Sequence, residues 1–395
     1  MPNLRFRSVV FFYCLSFLFL VNLRASITVN GTGTYTTIAA AFASPSPCTS
    51  GNCEIEVPAG VWTMSSTIAL TGSQSNILVK CMGMPWINNG ETRGTTTIRW
   101  TGGASAMFTL SGVEGFSMDG CDIDNTGSAT KAFSLLTGNH DFHLRKVHSA
   151  PSTSFSVSFL QGENGTNANV FISIQDSYFN NAGGSNGTID IDRTNNIYIK
   201  DTECLFSLNA PSCVRFGNAS QDTAVTIENL DCETYSTGGS TQACVDFANV
   251  NGAIWTGGYC ELNENGLTQA GQLCAKISSV GNVTITGVFL NGRSTANYLI
   301  SDAGSNSVIK GNFLDACGIA GIDRTAFNSV SDISPIQTLD ACNLTMNTVG
   351  IPAASLGTPP NGIIQYCPDC TITNPCAGGG TGALAKRLNN AWVCN

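Results

Sequence analysis

The sequence predicts an all-β fold, a right-handed parallel β-helix in which each turn of the chain stacks on the turn before it. Three cysteine pairs recur at a nearly constant spacing, with first members 28 and 28 residues apart and second members 31 and 30 apart. These pairs are Cys204/Cys213, Cys232/Cys244 and Cys260/Cys274. A period of this length, with two strand-like runs in each repeat, indicates a solenoid whose repeats bury their apolar faces against their neighbours.

Two columns of strand-like segments recur in register with these cysteines. The first column starts at Phe116, Phe142, Ile172, Ile197, Val225, Ala253, Val283 and Ser307. The second reads MFTLSG, AFSLLTG, VSFLQG, TIDIDRTN, CVRFGN, CVDFAN, CAKISS and NYLISDAG. Both alternate apolar and polar residues and are separated by turn-forming residues. Equivalent residues of adjacent turns should therefore form ladders with a spacing of about 4.8 Å.

Residues 1–25 are predicted to be a signal peptide, with Arg5 and Arg7 preceding the apolar run FFYCLSFLFLV and a cut after Ala25. An uncleaved anchor is the alternative. Cleavage leaves sixteen of the 17 cysteines and a charge of 15 − 27 = −12. No second apolar segment follows, so we expect no membrane association after cleavage, in a secreted, extracellular or periplasmic protein with disulfides. The acidic charge predicts no nucleic-acid partner.

The remaining chain divides into an N-terminal cap (26–53), the β-helix (54–345) and a Cys-rich C-terminal module (346–395). The segment TYTTIAAAF is expected to form a short helix that covers the open first turn, because an uncovered terminal turn exposes apolar side chains. Disulfides are expected within turns, with stacking of cysteines along a column as the alternative. The pairs expected within turns are Cys204–Cys213, Cys232–Cys244 and Cys260–Cys274. Three other pairs are also expected, namely Cys48–Cys53, Cys81–Cys121 and Cys317–Cys342.

The C-terminal module contains Cys367, Cys370, Cys376 and Cys394 in a spacing that could hold tetrahedral zinc. Thiolates are rarely free in an oxidising compartment, so disulfides of open connectivity are favoured. Trp392 is expected to pack, together with Leu388, on the final turn of the β-helix.

The N-terminal part of the chain resembles the start of pectate-lyase-superfamily β-helices. The resemblance lies in IEVPAGVWTMSSTIAL, preceded by TYTTIAAAF and followed by NILVKCMG and TTIRW. It implies the pectin-lyase-like fold over about residues 30–345, in a superfamily where many members act on polysaccharides and whose fold phage tailspikes share. The NTD, DD, GHG and RIK motifs of polygalacturonases are missing, as are the WIDH and R-x-P-x-x-R patterns of pectate lyases.

Candidate catalytic residues come from the first column, where positions +1, +3 and +6 from each strand start should point outward. All three histidines lie in NHDFHLRKVH, and their ladder neighbours include carboxylates and a tyrosine. Such groups suit acid–base chemistry on a glycosidic bond or, with a cation, a lyase reaction. The candidates are Asp122, His148, Asp119, Arg145, His143 and Tyr178. The alternatives are an ordinary ladder of exposed ion pairs and a metal site at the histidines.

Asp190 and Asp192 form a rival carboxylate pair in the second column. They alternate within TIDID and so share a face, at a separation of about 6.5–7 Å. The same ladder continues through Arg215, Asp246 and Lys276, and these alternating charges favour a structural role.

Other outward residues of the first column are candidates for substrate binding, the aromatic ones by stacking on sugar rings. They are Gln175, Tyr198, Lys200, Glu203, Asp231, Trp255 and Tyr259. The sequence thus predicts a secreted, carbohydrate-directed protein, either a polysaccharide hydrolase or lyase. The alternative is a non-catalytic adhesion or phage-spike-like protein that binds a surface glycan, with a trimer possible in the latter case. We expect no cofactor, except Ca²⁺ if the substrate is acidic.

Overall fold

The computed structural model describes residues 25–30, 35–43, 47–83, 96–149, 154–180, 184–206, 211–234, 242–262, 272–278, 282–292, 300–302, 307–314, 322–323, 352–356, 358 and 364–395. They belong to two compact units, contained within Met1–Thr338 and Leu339–Asn395. The first unit is the parallel β-helix, and the second is a small antiparallel module. Within the described ranges, no helix combines the length and the apolar content that crossing a membrane requires.

The strands of the first unit are short and numerous, as the alternating sequence pattern predicts. They are β1 (Ala25–Thr28), β2 (Cys53–Val57), β3 (Gly60–Met64), β4 (Ile68–Thr71), β5 (Ile77–Cys81), β6 (Thr96–Trp100), β7 (Ala106–Ser111), β8 (Glu114–Asp119), β9 (Asp122–Asn125), β10 (Lys131–Thr137), β11 (His140–Arg145), β12 (His148–Ser149), β13 (Ser158–Gly162), β14 (Asn169–Gln175), β15 (Tyr178–Asn180), β16 (Ile189–Ile191), β17 (Thr194–Phe206), β18 (Ser212–Phe216), β19 (Asp222–Thr234), β20 (Gln242–Phe247), β21 (Val250–Leu262), β22 (Gln272–Ile277), β23 (Val283–Gly292), β24 (Ile300–Asp302), β25 (Val308–Leu314) and β26 (Ile322–Asp323).

These strands stack in parallel columns along the solenoid. The first column runs from β1 through β2, β5, β8, β11, β14 and β17 to β19, β21, β23 and β25. The second column runs from β4 through β7, β10, β13, β16, β18, β20, β22 and β24 to β26. A shorter column, β3, β6, β9, β12 and β15, joins the first at β17, where both segments become one continuous strand. The predicted strand columns and their parallel pairing are confirmed.

The interior of the solenoid is filled by the apolar residues that alternate along each strand. Phe116 and Phe142, on adjacent turns of the first column, stack with ring centroids 5.6 Å apart. Phe108 and Phe133 of the second column stack at 5.3 Å. Because each turn repeats the same pattern, the buried side chains form continuous columns, which is how a solenoid builds one extended core.

Seven turns of the first column, those of β8, β11, β14, β17, β19, β21 and β23, bend at one residue in the left-handed backbone region, four residues after the strand start. We call these the corner residues: Gly120, Lys146, Asp176, Asp201, Asn229, Gly257 and Gly287, with φ between 46° and 71°. Gly, Asn and Asp enter this region most readily. The bend interrupts the two-residue alternation, so that positions +3, +4 and +6 all avoid the core.

A short helix, α1 (Ile38–Phe42), lies within the segment predicted to form one. The Thr37 hydroxyl caps it by accepting a hydrogen bond from the Ala40 backbone N–H at 3.0 Å. Ile38 and Phe42 are buried in the core cluster. The role of this helix as a cover for the first turn stays a prediction.

Three repeated disulfides each join two cysteines of one turn, whereas Cys81–Cys121 joins the adjacent turns of β5 and β8. In the first unit the bonded pairs are Cys48–Cys53, Cys81–Cys121, Cys204–Cys213, Cys232–Cys244 and Cys260–Cys274. Cys204 and Cys232 are ladder partners but are not bonded to each other, so the column-wise alternative is wrong. The expected Cys317–Cys342 pair lies outside the described residues, as do positions 1–24 of the expected signal peptide.

The second unit contains β27 (Ile364–Cys367), β28 (Cys370–Thr371), β29 (Ala377–Gly378), β30 (Ala383–Leu388) and β31 (Ala391–Cys394). Disulfides join Cys367 to Cys370 and Cys376 to Cys394. The only close groups of potential metal ligands among the described residues contain these bonded cysteines. Trp392 is buried within the unit's own cluster, whereas Leu388 is 48% exposed.

Candidate functional site

A pocket of about 450 Å³ opens on the outer surface of the β-helix, at the bends of four consecutive turns. Its walls combine a tyrosine, a histidine, an amide and four carboxylates. The lining residues are His148, Asp176, Ser177, Tyr178, Asp201, Thr202, Glu203, Asn229 and Asp231.

Two adjacent ladders supply the side chains of this pocket. Strand register places His148 beside Tyr178, Tyr178 beside Glu203, and Glu203 beside Asp231 at position +6. The corner residues Asp176, Asp201 and Asn229 supply the second ladder at position +4. Because neighbouring turns are about 4.8 Å apart, the two ladders concentrate acidic groups on a small area.

The pocket is strongly acidic. The carboxylates of Asp176, Asp201, Glu203 and Asp231 line it, and no lysine or arginine is among the described lining residues. The Asn229 side chain donates a hydrogen bond to the Asp201 carboxylate at 2.9 Å. Desolvation and the Asp201 carboxylate raise the pKa of Asp231, whereas a hydrogen bond from the Tyr259 backbone N–H lowers it. The net effect is a raised pKa for Asp231.

The predicted set of Asp122, His148 and Tyr178 is assembled but is only partly accessible. His148 Nδ1 lies 3.7 Å from Asp122 Oδ1, and the His148 and Tyr178 rings meet edge to face at 6.1 Å. Asp122 is 5% exposed and does not line the pocket. His148 and Tyr178 therefore form one end of the pocket, with Asp122 behind the histidine.

The other predicted catalytic residues lie outside the pocket, on the strand face before the bend. Arg145 Nη2 is 2.6 Å from Asp119 Oδ2, and this ion pair raises the pKa of the arginine. The His143 ring meets the Phe171 ring edge to face at 5.5 Å. Burial lowers the pKa of His143, against the opposing effect of Asp141. Asp119 and Arg145 therefore form an ion pair at the surface, as the alternative interpretation of this ladder predicted.

The predicted binding residues divide between the two faces. Glu203 and Asp231 line the pocket, and Tyr259 follows Asp231 on the same ladder. Gln175, Tyr198 and Lys200 lie on the face before the bend. Here the Tyr198 hydroxyl donates to Glu228 at 2.9 Å, and Lys200 Nζ lies 3.5 Å from the same carboxylate.

The prediction that Trp255 points outward is wrong. Its backbone pairs with Ile227, a core position, and the indole is 0% exposed. Ala253 occupies the strand start, so Trp255 stands at position +2 and fills the interior. Tyr178, also expected as an exposed aromatic, is 8% exposed.

The rival pair, Asp190 and Asp192, is not accessible as a carboxylate pair. Asp190 is 0% exposed and accepts hydrogen bonds from Gln161, Asn186 and Arg215 at 2.9, 3.1 and 2.8 Å. Asp192 is 4% exposed and accepts from the backbone N–H groups of Ala219 and Ser220. Desolvation raises the pKa of Asp192. The structural interpretation of the ladder agrees with these contacts.

Sequence reasoning missed Asp176, Asp201 and Asn229. They stand at position +4 of the first-column segments, whereas only positions +1, +3 and +6 were expected to point outward. The available signal was the recurrence of Gly, Asp and Asn at position +4, because these residue types mark a left-handed bend. A bend at the same place in every turn aligns its side chains into a ladder.

No protein-family model matches the chain, and no curated protein matches it either. Among solved structures, it is similar to an endo-xylogalacturonan hydrolase from Aspergillus tubingensis, with 14% identity, a TM-score of 0.37, and coverage of 78% of this chain and 93% of that one. A Family 28 exopolygalacturonase from Yersinia enterocolitica gives 12% identity, a TM-score of 0.37 and 79% coverage of both chains.

The A-module of a mannuronan C-5 epimerase from Azotobacter vinelandii gives 13% identity and a TM-score of 0.33, over 71% of this chain and 91% of that one. These similarities to solved structures concern the fold alone. The strand pairings themselves define the fold of this chain as a parallel β-helix.

Proposed function

We propose that this chain hydrolyses glycosidic bonds in a neutral polysaccharide, at the acidic pocket. The observation that carries the proposal is the gathering of four carboxylates in one open pocket, with the pKa of Asp231 raised. A glycosidase needs one carboxyl that keeps its proton and one that is ionised. A solenoid surface also repeats along its axis, which suits a linear polymer more than a small molecule.

In this proposal Asp231 is the acid that protonates the leaving oxygen. Glu203, its register partner on the preceding turn, and Asp201 are the candidates for the carboxylate that activates water or attacks the sugar. His148 and Tyr178 close one end of the pocket and would orient the sugar ring.

A lyase acting on a uronate is less well supported. That reaction needs a base and a cation that binds the substrate carboxylate, whereas this pocket is lined with carboxylates that repel an acidic sugar. Arg145, the cation expected for this role, is paired with Asp119 outside the pocket. Recruitment of Ca²⁺ by an acidic substrate stays a prediction.

The cellular compartment and the non-catalytic alternatives are also part of the proposal. The disulfides suit an oxidising compartment, and secretion through residues 1–25 remains to be tested by N-terminal sequencing of the mature protein. The adhesion and phage-spike alternatives predict glycan binding without turnover, the latter in a trimer that light scattering would detect.

The test is a reducing-end assay on xylan, mixed-linkage glucan, galactomannan, polygalacturonate and alginate, with added Ca²⁺ or chelator. Hydrolysis of a neutral glycan is expected, and unsaturated product ends that absorb ultraviolet light would instead indicate a lyase. Asp231→Asn should lower the rate by roughly 10²–10⁴-fold, the usual contribution of a general acid. Asp119→Asn, a matched change outside the pocket, should keep the rate. An unchanged rate in Asp231→Asn would remove the pocket from consideration.

A further inference from the structure

Phe171 occupies an unusual backbone position. Nine turns of the first column have a residue in the left-handed region immediately before the strand start. These residues are Asn52, Asn76, Gly115, Asp141, Phe171, Asn196, Ala224, Gly252 and Asn282. Glycine, asparagine and aspartate are the expected occupants, whereas a bulky residue there is an outlier. Phe171 has a φ of 58° and is 36% exposed.

Core packing does not account for this phenylalanine. The following residue, Ile172, is the one that enters the core, at 1% exposure. Phe171 therefore combines an unfavourable backbone conformation with an apolar ring left in water, and both are destabilising. Retained strain of this kind is often found at functional positions.

One further ring contacts Phe171, and another is carried by the next turn. His143, on the preceding turn, meets it edge to face at 5.5 Å. Tyr198 lies on the following turn, and the register places Ser173 between His143 and Tyr198 on one ladder. Ser173 is buried, and its hydroxyl accepts a hydrogen bond from the Gln175 side chain at 2.8 Å. Along this ladder the small Ser173 side chain therefore separates the larger side chains of His143 and Tyr198, over about 10 Å of the solenoid axis.

We propose that this aromatic strip, formed by His143, Phe171 and Tyr198, is a second carbohydrate-binding site that holds a neutral glycan by stacking against its sugar rings. The inference rests on the proposed function, because it takes the same class of substrate. It extends that function with a binding surface outside the pocket.

The chemistry of the strip favours a glycan over other partners. Sugars present apolar C–H faces rimmed by hydroxyls, and here aromatic rings are flanked by the Gln175 amide and by the Tyr198 hydroxyl, which Glu228 orients. Three rings separated by a serine are too little apolar surface for a stable protein interface. The net charge of −9 disfavours nucleic acid and anionic membranes. The lowered pKa of His143 favours an uncharged ring at neutral pH.

The strip and the pocket are separate surfaces of the same turns. Phe171 lies on β14, which ends at Gln175, whereas the pocket residue Asp176 stands at the bend that follows this strand. A glycan held at the strip would keep the enzyme near its polymer without touching the bond that breaks. Loss of the strip should therefore weaken binding and raise KM on long polysaccharides, with kcat unchanged.

Native gel electrophoresis through galactomannan, xylan or mixed-linkage glucan tests the proposal. The change is Phe171→Asn, which installs a residue type that other turns use at this position. We expect at least one glycan to retard the wild-type protein and Phe171→Asn to lose that affinity at least fivefold, with an unchanged or higher Tm. Tyr198→Ala should behave similarly in binding. Leu136→Ala removes an equally exposed apolar side chain from the second column and should keep full retardation.

The two proposals fail in different ways. The strip is overturned if Phe171→Asn keeps full retardation, or if none of the three glycans retards the wild-type protein. The pocket proposal alone fails if retardation depends on Phe171 but no glycan is hydrolysed. Asp231→Asn should lose hydrolysis but keep glycan binding, and the double variant Asp231→Asn/Phe171→Asn should lose binding as well. This combination would support both assignments.

Discussion

The outer surface of the β-helix carries paired charges before the bend and mainly carboxylates at and after it, although the same turns supply both regions. Before the bend, carboxylates alternate with cations, and Asp119 pairs with Arg145 at 2.6 Å while Lys200 pairs with Glu228 at 3.5 Å. After the bend, the described pocket residues include four carboxylates and no lysine or arginine. The stacking geometry is the same on both faces, so the difference lies in the residues placed on it.

This contrast separates structural ladders from a candidate site. Like charges on adjacent turns are destabilising, whereas opposite charges there form ordinary ion pairs. A fold selected only for stability would therefore alternate charges, as the face before the bend does. Four acids in one pocket whose described lining holds no lysine or arginine, one of them with a raised pKa, are typical of sites that perform chemistry. Arg145 and Lys200 act on Asp176 and Asp201 from outside this lining.

The largest expected effect comes from breaking a paired ladder where it is buried. Asp190→Ala leaves the Arg215 guanidinium, whose side chain is 13% exposed, without its ion-pair partner. We expect a loss of about 3–5 kcal/mol in the free energy of unfolding, measured in urea. Lys276→Ala, at the more exposed end of the ladder, should cost less than about 1 kcal/mol. A loss below that value for Asp190→Ala as well would show that the ladder contributes nothing to stability.

A second effect concerns a buried acid that is not part of an ion pair. Asp222 lies three residues before its strand start, where other turns have Asn139 and Asn169, and its Oδ1 accepts the Thr194 backbone N–H at 2.7 Å. Burial and the nearby Asp192 raise its pKa well above the usual value. We expect Asp222→Asn to gain about 1–2 kcal/mol of stability at pH 7, because the amide keeps the acceptor and has no charge to bury.

The gain should depend on pH in a defined direction. Because the folded pKa of Asp222 is raised, ionisation opposes folding once the pH exceeds the unfolded pKa. The wild-type protein should therefore lose stability relative to Asp222→Asn as the pH rises from about 4 towards the folded pKa, and the difference should nearly vanish below about pH 4. Urea unfolding at several pH values measures this. A gain that is equal at low and neutral pH would contradict ionisation as the cause.

A smaller effect should appear within the pocket. The Asp201 charge is one cause of the raised pKa of Asp231, after desolvation. Asp201→Asn should therefore move the basic limb of the rate profile to lower pH, because a like charge that disfavours ionisation of Asp231 is removed. The pH dependence of kcat/KM measures it in whatever activity Asp201→Asn retains. A limb that stays in place would mean that Asp231 is not the acid.

The smallest effect is expected on the paired face. Asp119→Asn removes one partner of an ion pair whose arginine side chain is 55% exposed. Exposed pairs contribute about 0–1 kcal/mol, so the urea midpoint should change little and less still in high salt. A loss above about 2 kcal/mol would mean that this ladder supports the fold as strongly as the buried one.

The sequence by itself determined the parallel β-helix, the disulfides within turns, and the ladder partners of residues such as His148 and Glu203. These follow from a repeat of about 28 residues, because a fixed period places equivalent residues side by side wherever the chain winds. Only the tertiary structure decided which outward positions remain accessible. Asp190 and Asp122 follow the outward pattern but are covered, Trp255 enters the core, and Asp176 and Asp201 reach the pocket through left-handed bends. Alternation specifies the side of a strand, whereas access depends on the bends and on the neighbouring side chains that cover it.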